Sequence, residues 1–185
     1  MNRIVAVSFL MTFIPFVYSK PQTTPSKSTQ ESLFLDVWIG DWNLEGTTRY
    51  LPTAPEHKLT WNMHGHRILG GSFVQLDQIF YDINGQPEQA MEILRFNPAS
   101  NTHSSNGYSN DGTTWVATAT YSGLTIVQIG TLTTPDGKII KVRDTWIFSA
   151  DHLNVSASEE SALDGVRWTS WTAKGRKVKN QPQAE

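Results

Sequence analysis

Two carboxylates lie at positions of this chain where an alternating strand would turn them toward its apolar side. In "QAMEILRFN", Glu92 falls on the same side as Phe96, and in "KIIKVRDTWIFS", Asp144 falls on the same side as Trp146. A fully packed core does not normally accept such groups, because burying an unpaired charge is costly. A partly hydrated pocket accepts them, and burial there raises the pKa of a carboxyl so that it can act as a general acid or base.

The roles of Glu92 and Asp144 stay open between three alternatives. As catalytic residues they would serve as acid or base in an isomerisation or a cyclisation. As ligand-binding residues they would orient a bound molecule. As a structural pair they would only contribute to the interior of a filled barrel that takes no ligand. The sequence therefore leaves undecided whether the protein is an enzyme.

Two histidines have the spacing of metal ligands on a strand. His64 and His66 are alternate residues, and alternate residues of a strand project to the same side. A third ligand would have to come from another strand, and the candidates are Glu92, Asp77 and His103. Because Met63 and Trp61 continue the opposite, apolar side of the same strand, the histidine pair is expected on the solvent face. No metal is assigned.

Other motifs that carry chemistry are missing from the sequence. There is no cysteine, no G-x-S-x-G nucleophile elbow, no phosphate-binding glycine loop and no dinucleotide fingerprint. Thiol nucleophiles and thiolate metal sites are therefore excluded, and no cofactor is expected.

Tryptophan is present in excess, with 7 copies. Most tryptophans belong to a core, but aromatic side chains also line pockets that take a flat apolar ligand. The residues expected to bind such a ligand are Trp61, Glu92, Trp115, Tyr121, Asp144, Trp146 and Trp168. The expected partner is a small apolar or amphipathic molecule.

Strands divided by tight turns position these side chains. Beyond residue 41 the sequence forms alternating segments separated by "DING", "NPASN", "SNDG", "TPDG" and "ALDG". The Asn-Gly and Asp-Gly pairs supply the positive φ angles that hairpins need. Consecutive strands of this kind predict an all-β fold, an antiparallel up-and-down barrel of about ten strands, because closure removes the exposed edges. A β-sandwich is the alternative.

The two ends of the chain differ from the barrel in composition. Residues 1–19 have a short positive start and an apolar run, which predicts a signal peptide; a retained membrane anchor is the alternative. Residues 20–32 are expected to form a flexible leader, residues 33–173 the barrel, and residues 174–185 a basic, disordered tail. The expected location is secreted or periplasmic, without a membrane span after cleavage.

The predicted barrel is acidic. Between residues 33 and 173 there are 8 basic and 15 acidic residues, which argues against nucleic acid and against strongly anionic ligands. Because the chain has no cysteine, no disulfide supports the fold, and the core must hold it together unaided. The oligomeric state stays open.

Four stretches in order resemble the lipocalin and calycin barrels. "GDW" at residues 40–42 resembles their G-x-W signature, and it is followed by "HGHRILGGSFV", "EILRFNPASNT" and "VRWTSWTAKGRK". Over residues 33–177 the chain is similar to a lipocalin-like family of secreted bacterial proteins without assigned function. A second lipocalin motif of the T-D-Y type and a C-terminal helix are missing.

The resemblance implies structural roles for three residues. Gly40 would let the chain turn tightly into the barrel, and Trp42 would pack across the closed end. Arg167 would stack as a cation over Trp42, with Arg143 as the second candidate. Haem-binding relatives use a histidine late in the chain, whereas no histidine follows His152 here, so the resemblance implies no haem.

Overall fold

The computed structural model describes residues 34–81, 85–97 and 102–178. The expected signal peptide and leader, and residues 179–185 of the expected tail, lie outside these ranges. Within them, no helix is long and apolar enough to cross a membrane.

Ten antiparallel strands form one closed barrel in which each strand pairs with its neighbours in sequence. They are β1 (Gly40–Thr48), β2 (His57–Ile68), β3 (Phe73–Tyr81), β4 (Pro87–Asn97), β5 (Thr102–Ser109), β6 (Thr114–Ser122), β7 (Thr125–Thr133), β8 (Ile139–Phe148), β9 (Asn154–Leu163) and β10 (Val166–Lys177). The expected all-β, ten-strand barrel is thereby confirmed, and the β-sandwich is not formed.

Closure of the barrel depends on the pairing of its first and last strands. Trp42 of β1 lies opposite Lys177 of β10, and the register continues to Thr48 opposite Trp171. Each of the ten described strands therefore has two hydrogen-bonded neighbours, and none of these ten leaves a free edge for a foreign strand. The strand β10 extends to Lys177, so residues 174–177, expected in the disordered tail, belong to the barrel.

The two ends of the barrel are built differently. The β1–β2, β5–β6 and β7–β8 connections, with Tyr81 and Leu163 at the ends of β3 and β9, line an opening, which we call the open end. The opposite, closed end is filled by a helical turn over residues 34–36 and the residues that follow it. Phe34, Leu35, Val37, Trp38 and Trp42 there are all buried. The apolar core therefore lies in the closed half of the barrel.

Trp38 belongs to the interior of the closed end. Its ring packs edge-on against Trp146 at 4.9 Å and against Phe148 at 5.3 Å between ring centres. A side chain at position 65 would block this arrangement, because a Cβ added to Gly65 would lie 1.9 Å from the Trp38 carbonyl oxygen. The turn into β1 needs a second glycine, since Gly40 has a φ of 102°, which side chains disfavour.

The cation over Trp42 is Lys177, not Arg167. The Lys177 ammonium lies 5.2 Å from the centre of a Trp42 ring. Arg167 is exposed near the start of β10, at the open end, whereas Trp42 pairs with the last residue of that strand. The second candidate, Arg143, is exposed on β8. Lys177 reaches Trp42 because β10 continues to residue 177, whereas the chain was expected to leave the barrel after residue 173.

Candidate ligand-binding site

A cavity of about 500 Å³ occupies the open half of the barrel. It begins above the packed core and reaches the connections at the open end. Its wall carries five tryptophans, Trp61, Trp115, Trp146, Trp168 and Trp171, together with Phe80. A space of this size and lining is typical of sites that take small molecules.

Three of the indoles form one continuous aromatic wall. Trp61 of β2 lies 5.3 Å from Trp146 of β8 and 5.4 Å from Trp171 of β10, between ring centres. Trp146 and Trp171 are 5.6 Å apart, and Phe80 lies 4.8 Å from Trp61. The contact of Trp146 with Trp38 supports this wall from below. Such clustered rings present a rigid apolar surface to a ligand.

Trp115 of β6 contributes a second aromatic surface, which depends on a glycine in the neighbouring strand. A Cβ added to Gly107 would lie 1.8 Å from the Trp115 ring, so the indole packs directly on the backbone of β5. Trp168 lies closer to the open end, where its Nε1 donates a hydrogen bond of 3.1 Å to the Arg49 carbonyl oxygen.

Polar side chains form a belt inside the same cavity. Gln128 of β7, Asp144 of β8 and Glu159 of β9 are direct cross-strand neighbours, in that order. Glu92 of β4 joins them from across the interior, because the Gln128 amide approaches its Oε1 at 3.5 Å. The barrel thus places three carboxyl groups around one enclosed space.

Glu92 is held by amide donors. Its Oε2 accepts a hydrogen bond of 3.3 Å from Gln78, and its Oε1 faces Gln128. Burial raises the pKa of Glu92 above its ordinary value, and hydrogen bonds from neighbouring side chains offset part of that shift. The carboxyl group is therefore positioned so that it can bind a polar group of a ligand or exchange a proton with it.

Asp144 and Glu159 form a pair of carboxyl groups. Burial raises the pKa of Asp144 well above 3.8, and the adjacent charge of Glu159 and a hydrogen bond with it raise the pKa further. The negative charge of Glu92 acts in the same direction. The Oδ1 of Asp144 is buried and accepts no hydrogen bond from residues 34–81, 85–97 or 102–178. It is an acceptor that faces a cavity without a donor of its own.

Glu159 takes its own donors from two serines. The Ser161 hydroxyl donates to Glu159 Oε1 at 2.9 Å, and the Ser170 hydroxyl donates to the same oxygen. Ser170 reaches it because β10 contains a bulge between Thr169 and Trp171, where the register with β9 shifts. The bulge adds one residue to β10, so that Trp168, Ser170 and Trp171 all line the cavity.

Most of the residues expected to bind a ligand come together here. Trp61, Glu92, Trp115, Asp144, Trp146 and Trp168 all line the cavity. Tyr121 does not, since it lies near the closed end with its ring 6.3 Å from that of Phe34. The ligand roles of the six residues stay predictions.

The sequence interpretation missed three polar side chains of the cavity wall. Glu159, Gln78 and Gln128 line the cavity although they were not among the expected residues. The alternation along β9 could have identified Glu159 as an interior residue. Val155, Ala157 and Ser161 are alternate residues on the same side of the strand as Glu159, and all three are buried. Trp171 was concealed by the bulge, which breaks the alternation of β10.

The histidine pair lies outside the barrel. His64 Nδ1 is 2.6 Å from Asp41 Oδ1, and His66 Nδ1 is 3.6 Å from Asp77 Oδ2, on the outer surface. His103 is buried on β5 with its ring 3.8 Å from that of Phe34, and burial lowers its pKa. In the described ranges no three His, Cys, Asp or Glu residues are arranged to hold a metal ion.

Comparisons with known proteins bear on the fold. No family profile and no curated protein matches the chain. Among solved structures, the barrel is similar to the crystal structure of Rv2717c from M. tuberculosis, with a TM-score of 0.64 and 18% identity over 80% of this chain and 98% of that chain. It is also similar to the S-type phycobiliprotein lyase CPES from Guillardia theta, with a TM-score of 0.52 and 8% identity over 81% and 93%. The protein therefore has a calycin-like barrel fold.

Proposed function

We propose that the protein binds a small apolar or amphipathic molecule inside its barrel. The observation that carries this proposal is the cavity of about 500 Å³, which combines an indole wall with a belt of polar groups. The apolar body of the ligand would lie against Trp61, Trp146 and Trp171, and burial of that surface would drive binding.

Unpaired polar atoms of the wall would fix the orientation of the ligand. In the described part of the chain, Asp144 Oδ1 is a buried acceptor without a donor, and the Nε1 groups of Trp61 and Trp146 are buried donors without an acceptor. A buried polar atom without a hydrogen bond costs free energy, which a ligand that supplies the partner recovers. The atoms thus favour an amphipathic molecule over a purely apolar one.

A second candidate function is acid-base catalysis in the same cavity. The Asp144–Glu159 pair supports it, because burial and the neighbouring carboxyl group raise the pKa of Asp144, so that Asp144 can carry a proton into the cavity. An isomerisation or cyclisation of a bound substrate would use such a pair. The fold does not choose between the two candidates, since similar barrels carry different functions. A filled barrel without a ligand is disfavoured by the cavity volume.

The test is native mass spectrometry of the mature protein, purified from its own host without detergent. We expect a retained adduct on the order of a few hundred daltons, the size that a cavity of this volume accepts. In Ala117→Phe, a large ring would enter the cavity, and the adduct should be lost. Val116→Phe is the matched control, because Val116 directly precedes Ala117 but is exposed on the outer surface. An adduct-free wild type, or an adduct retained in Ala117→Phe, would contradict the proposal.

A turnover assay on the identified adduct separates the two functions. Asp144→Asn keeps the shape of the side chain and removes its proton exchange. Loss of turnover in Asp144→Asn but not in the surface variant His64→Ala would favour the enzyme. An adduct released unchanged by the wild type would favour simple binding.

Export completes the proposal. The apolar run in residues 1–19 supports secretion or a periplasmic location. The mass of the mature protein tests it, because cleavage after Ser19 leaves Lys20 as the first residue. A protein that keeps residues 1–19 in its own host would contradict export by cleavage.

A further inference from the structure

We propose that the ligand of the barrel is a flat organic cation, such as a protonated amine on an aromatic or conjugated body. The inference rests on the proposed function and names the charge of the molecule bound there. It follows from the distribution of charge over the cavity wall, from one unpaired oxygen, and from the faces of the indoles.

Acidic residues dominate the wall of the cavity. Six acids line it, Glu88, Glu92, Asp111, Asp136, Asp144 and Glu159, against two basic residues, Arg49 and Lys138. Both cations are at the open end and already have acidic partners. Arg49 pairs with Glu56 at 2.9 Å, and Lys138 pairs with Asp136 at 2.6 Å. Of the residues that line this cavity in the described ranges, no basic one lies beside the three deep carboxyl groups.

The deep carboxyl groups converge from three separate strands. Glu92 comes from β4, Asp144 from β8 and Glu159 from β9, and the charges of Glu92 and Glu159 both act on Asp144. Glu92 and Glu159 each have neutral donors, namely amides for the one and hydroxyls for the other. Among the described residues, Asp144 Oδ1 has no donor. The belt therefore gathers three acidic side chains around an oxygen that no described residue pairs.

A ligand with a positively charged N–H group matches this arrangement better than a neutral or an anionic one. It would donate to Asp144 Oδ1 and reduce the repulsion between the three carboxyl groups. An anion would add to that repulsion, and a neutral hydrocarbon would leave the oxygen unpaired.

The indoles favour an organic cation over a bare metal ion. The electron-rich faces of Trp61, Trp146 and Trp171 attract a cation within about 6 Å, and they offer no metal ligand. A flat delocalised cation would place its body on this wall and its N–H group at the carboxyl belt. Both the charge and the apolar surface of such a ligand would therefore contribute to binding.

The test uses three tricyclic probes of similar size and different charge. They are proflavine as the cation, hydroxymethylanthracene as the neutral molecule and anthracene carboxylate as the anion. Each is titrated by fluorescence into the ligand-free protein near neutral pH. We expect proflavine to bind at least about tenfold more tightly than the other two, in line with one desolvated charge interaction.

Variants locate the preference at the belt. Asp144→Asn and Glu92→Gln should each weaken proflavine binding by about tenfold while leaving the neutral probe nearly unchanged. Glu160→Gln is the matched control, because it removes one negative charge from the exposed neighbour of Glu159. Circular dichroism establishes that each variant is folded, and Glu92→Gln replaces Asp144→Asn if the latter is not.

The outcomes separate the inference from the proposed function. Tighter binding of proflavine, weakened by the belt variants and lost in Ala117→Phe, supports both. Equal or tighter binding of the neutral or anionic probe inside the barrel overturns the cation inference and leaves the proposed function standing. Proflavine binding that survives Ala117→Phe also overturns the inference, because the cation is then held outside the cavity. If none of the probes binds, the cation inference is overturned, and the native mass spectrum alone decides the proposed function.

Discussion

Asp144 of β8 and Glu159 of β9 are direct cross-strand neighbours, and both carboxyl groups line the cavity inside the barrel. Two acids in this position repel one another when both are charged, and burial strengthens the repulsion. The pair is therefore a locally unfavourable arrangement that the surrounding aromatic wall maintains. Such arrangements are typical of binding and catalytic sites.

The first prediction concerns the pH dependence of stability. Because the pKa of Asp144 is raised above 3.8 in the folded state, the folded protein holds a proton that the unfolded chain has lost. The contribution of Asp144 to stability is full below pH 3.8 and is lost as pH rises toward the raised pKa. Asp144→Asn removes this loss of stability, so the variant should be more stable than the wild type at pH 7.

Urea unfolding between pH 4 and pH 8 measures this effect. Asp144→Asn should give a flatter profile than the wild type, whereas Glu160→Gln on the outer face should follow the wild type. A profile of Asp144→Asn that falls with pH as steeply as that of the wild type would contradict the interpretation.

The second prediction concerns the seat of Trp115. In Gly107→Ala the new methyl group would overlap the Trp115 ring, so the indole must move toward the cavity. We expect a loss of about 1–3 kcal/mol of stability, as for overpacking elsewhere, and a shift in tryptophan fluorescence. Asn106→Ala, at the exposed preceding residue, should change neither. The double variant Gly107→Ala, Trp115→Leu should recover stability, and a failure to recover it would place the strain elsewhere.

The third prediction concerns the closed end. Gly65→Ala would bring a methyl group against the Trp38 carbonyl oxygen and should displace the turn over residues 34–36. We expect a cost of about 2 kcal/mol or more, since backbone atoms cannot yield as a side chain can. Hydrogen exchange should become faster at Val37 and Trp38 before the strands open. Unchanged exchange there would show that the turn is not held by this contact.

The fourth prediction separates Lys177 from Arg167. Lys177 lies over Trp42 at 5.2 Å, so Lys177→Met should cost about 0.5–1 kcal/mol in the free energy of unfolding. Lys177→Arg should keep most of the cation–π stabilisation, because it keeps the positive charge. Arg167→Met should stay within about 0.5 kcal/mol of the wild type, because its side chain is exposed. A larger loss in Arg167→Met than in Lys177→Met would contradict the assignment.

The architecture was accessible from sequence because local rules determine it. Alternation and Asp-Gly turns indicate strands and hairpins, and the alternation of β8 correctly turned Asp144 and Trp146 to the inside. Closure followed from the number of consecutive strands, because an open meander would leave two edges. The interior positions of the carboxylates Glu92 and Asp144 could be predicted from the sequence for the same reason.

The depth of each side chain along the barrel axis could not be predicted from the sequence. Tyr121 and Trp115 alternate on the same face of β6, yet one lies by Phe34 near the closed end and the other lines the cavity. The bulge near Ser170 and the full length of β10 depend on pairing with β9 and β1, which no local pattern reports. Trp171 was missed and Arg167 was misplaced for these reasons.

The last prediction couples ligand charge to protons. If a cation pairs with the belt, it lowers the raised pKa values of Asp144 and Glu92, and protons are released on binding. Proflavine affinity should therefore rise with pH below the raised pKa values of these carboxyl groups, by up to about tenfold per pH unit for one proton released. Glu159 and Glu92 are the titratable groups that act on Asp144, and Arg49, Lys138 and the acids of the open end lie farther out.

Calorimetry in two buffers with different heats of ionisation counts the protons directly. The wild type should release a fraction of a proton for each proflavine bound at pH 6, and Asp144→Asn should release less. Hydroxymethylanthracene is the control ligand, because a neutral molecule gives the carboxyl groups no reason to ionise. Proton uptake on proflavine binding, or release that is unchanged in Asp144→Asn, would mean that the cation does not pair with the belt.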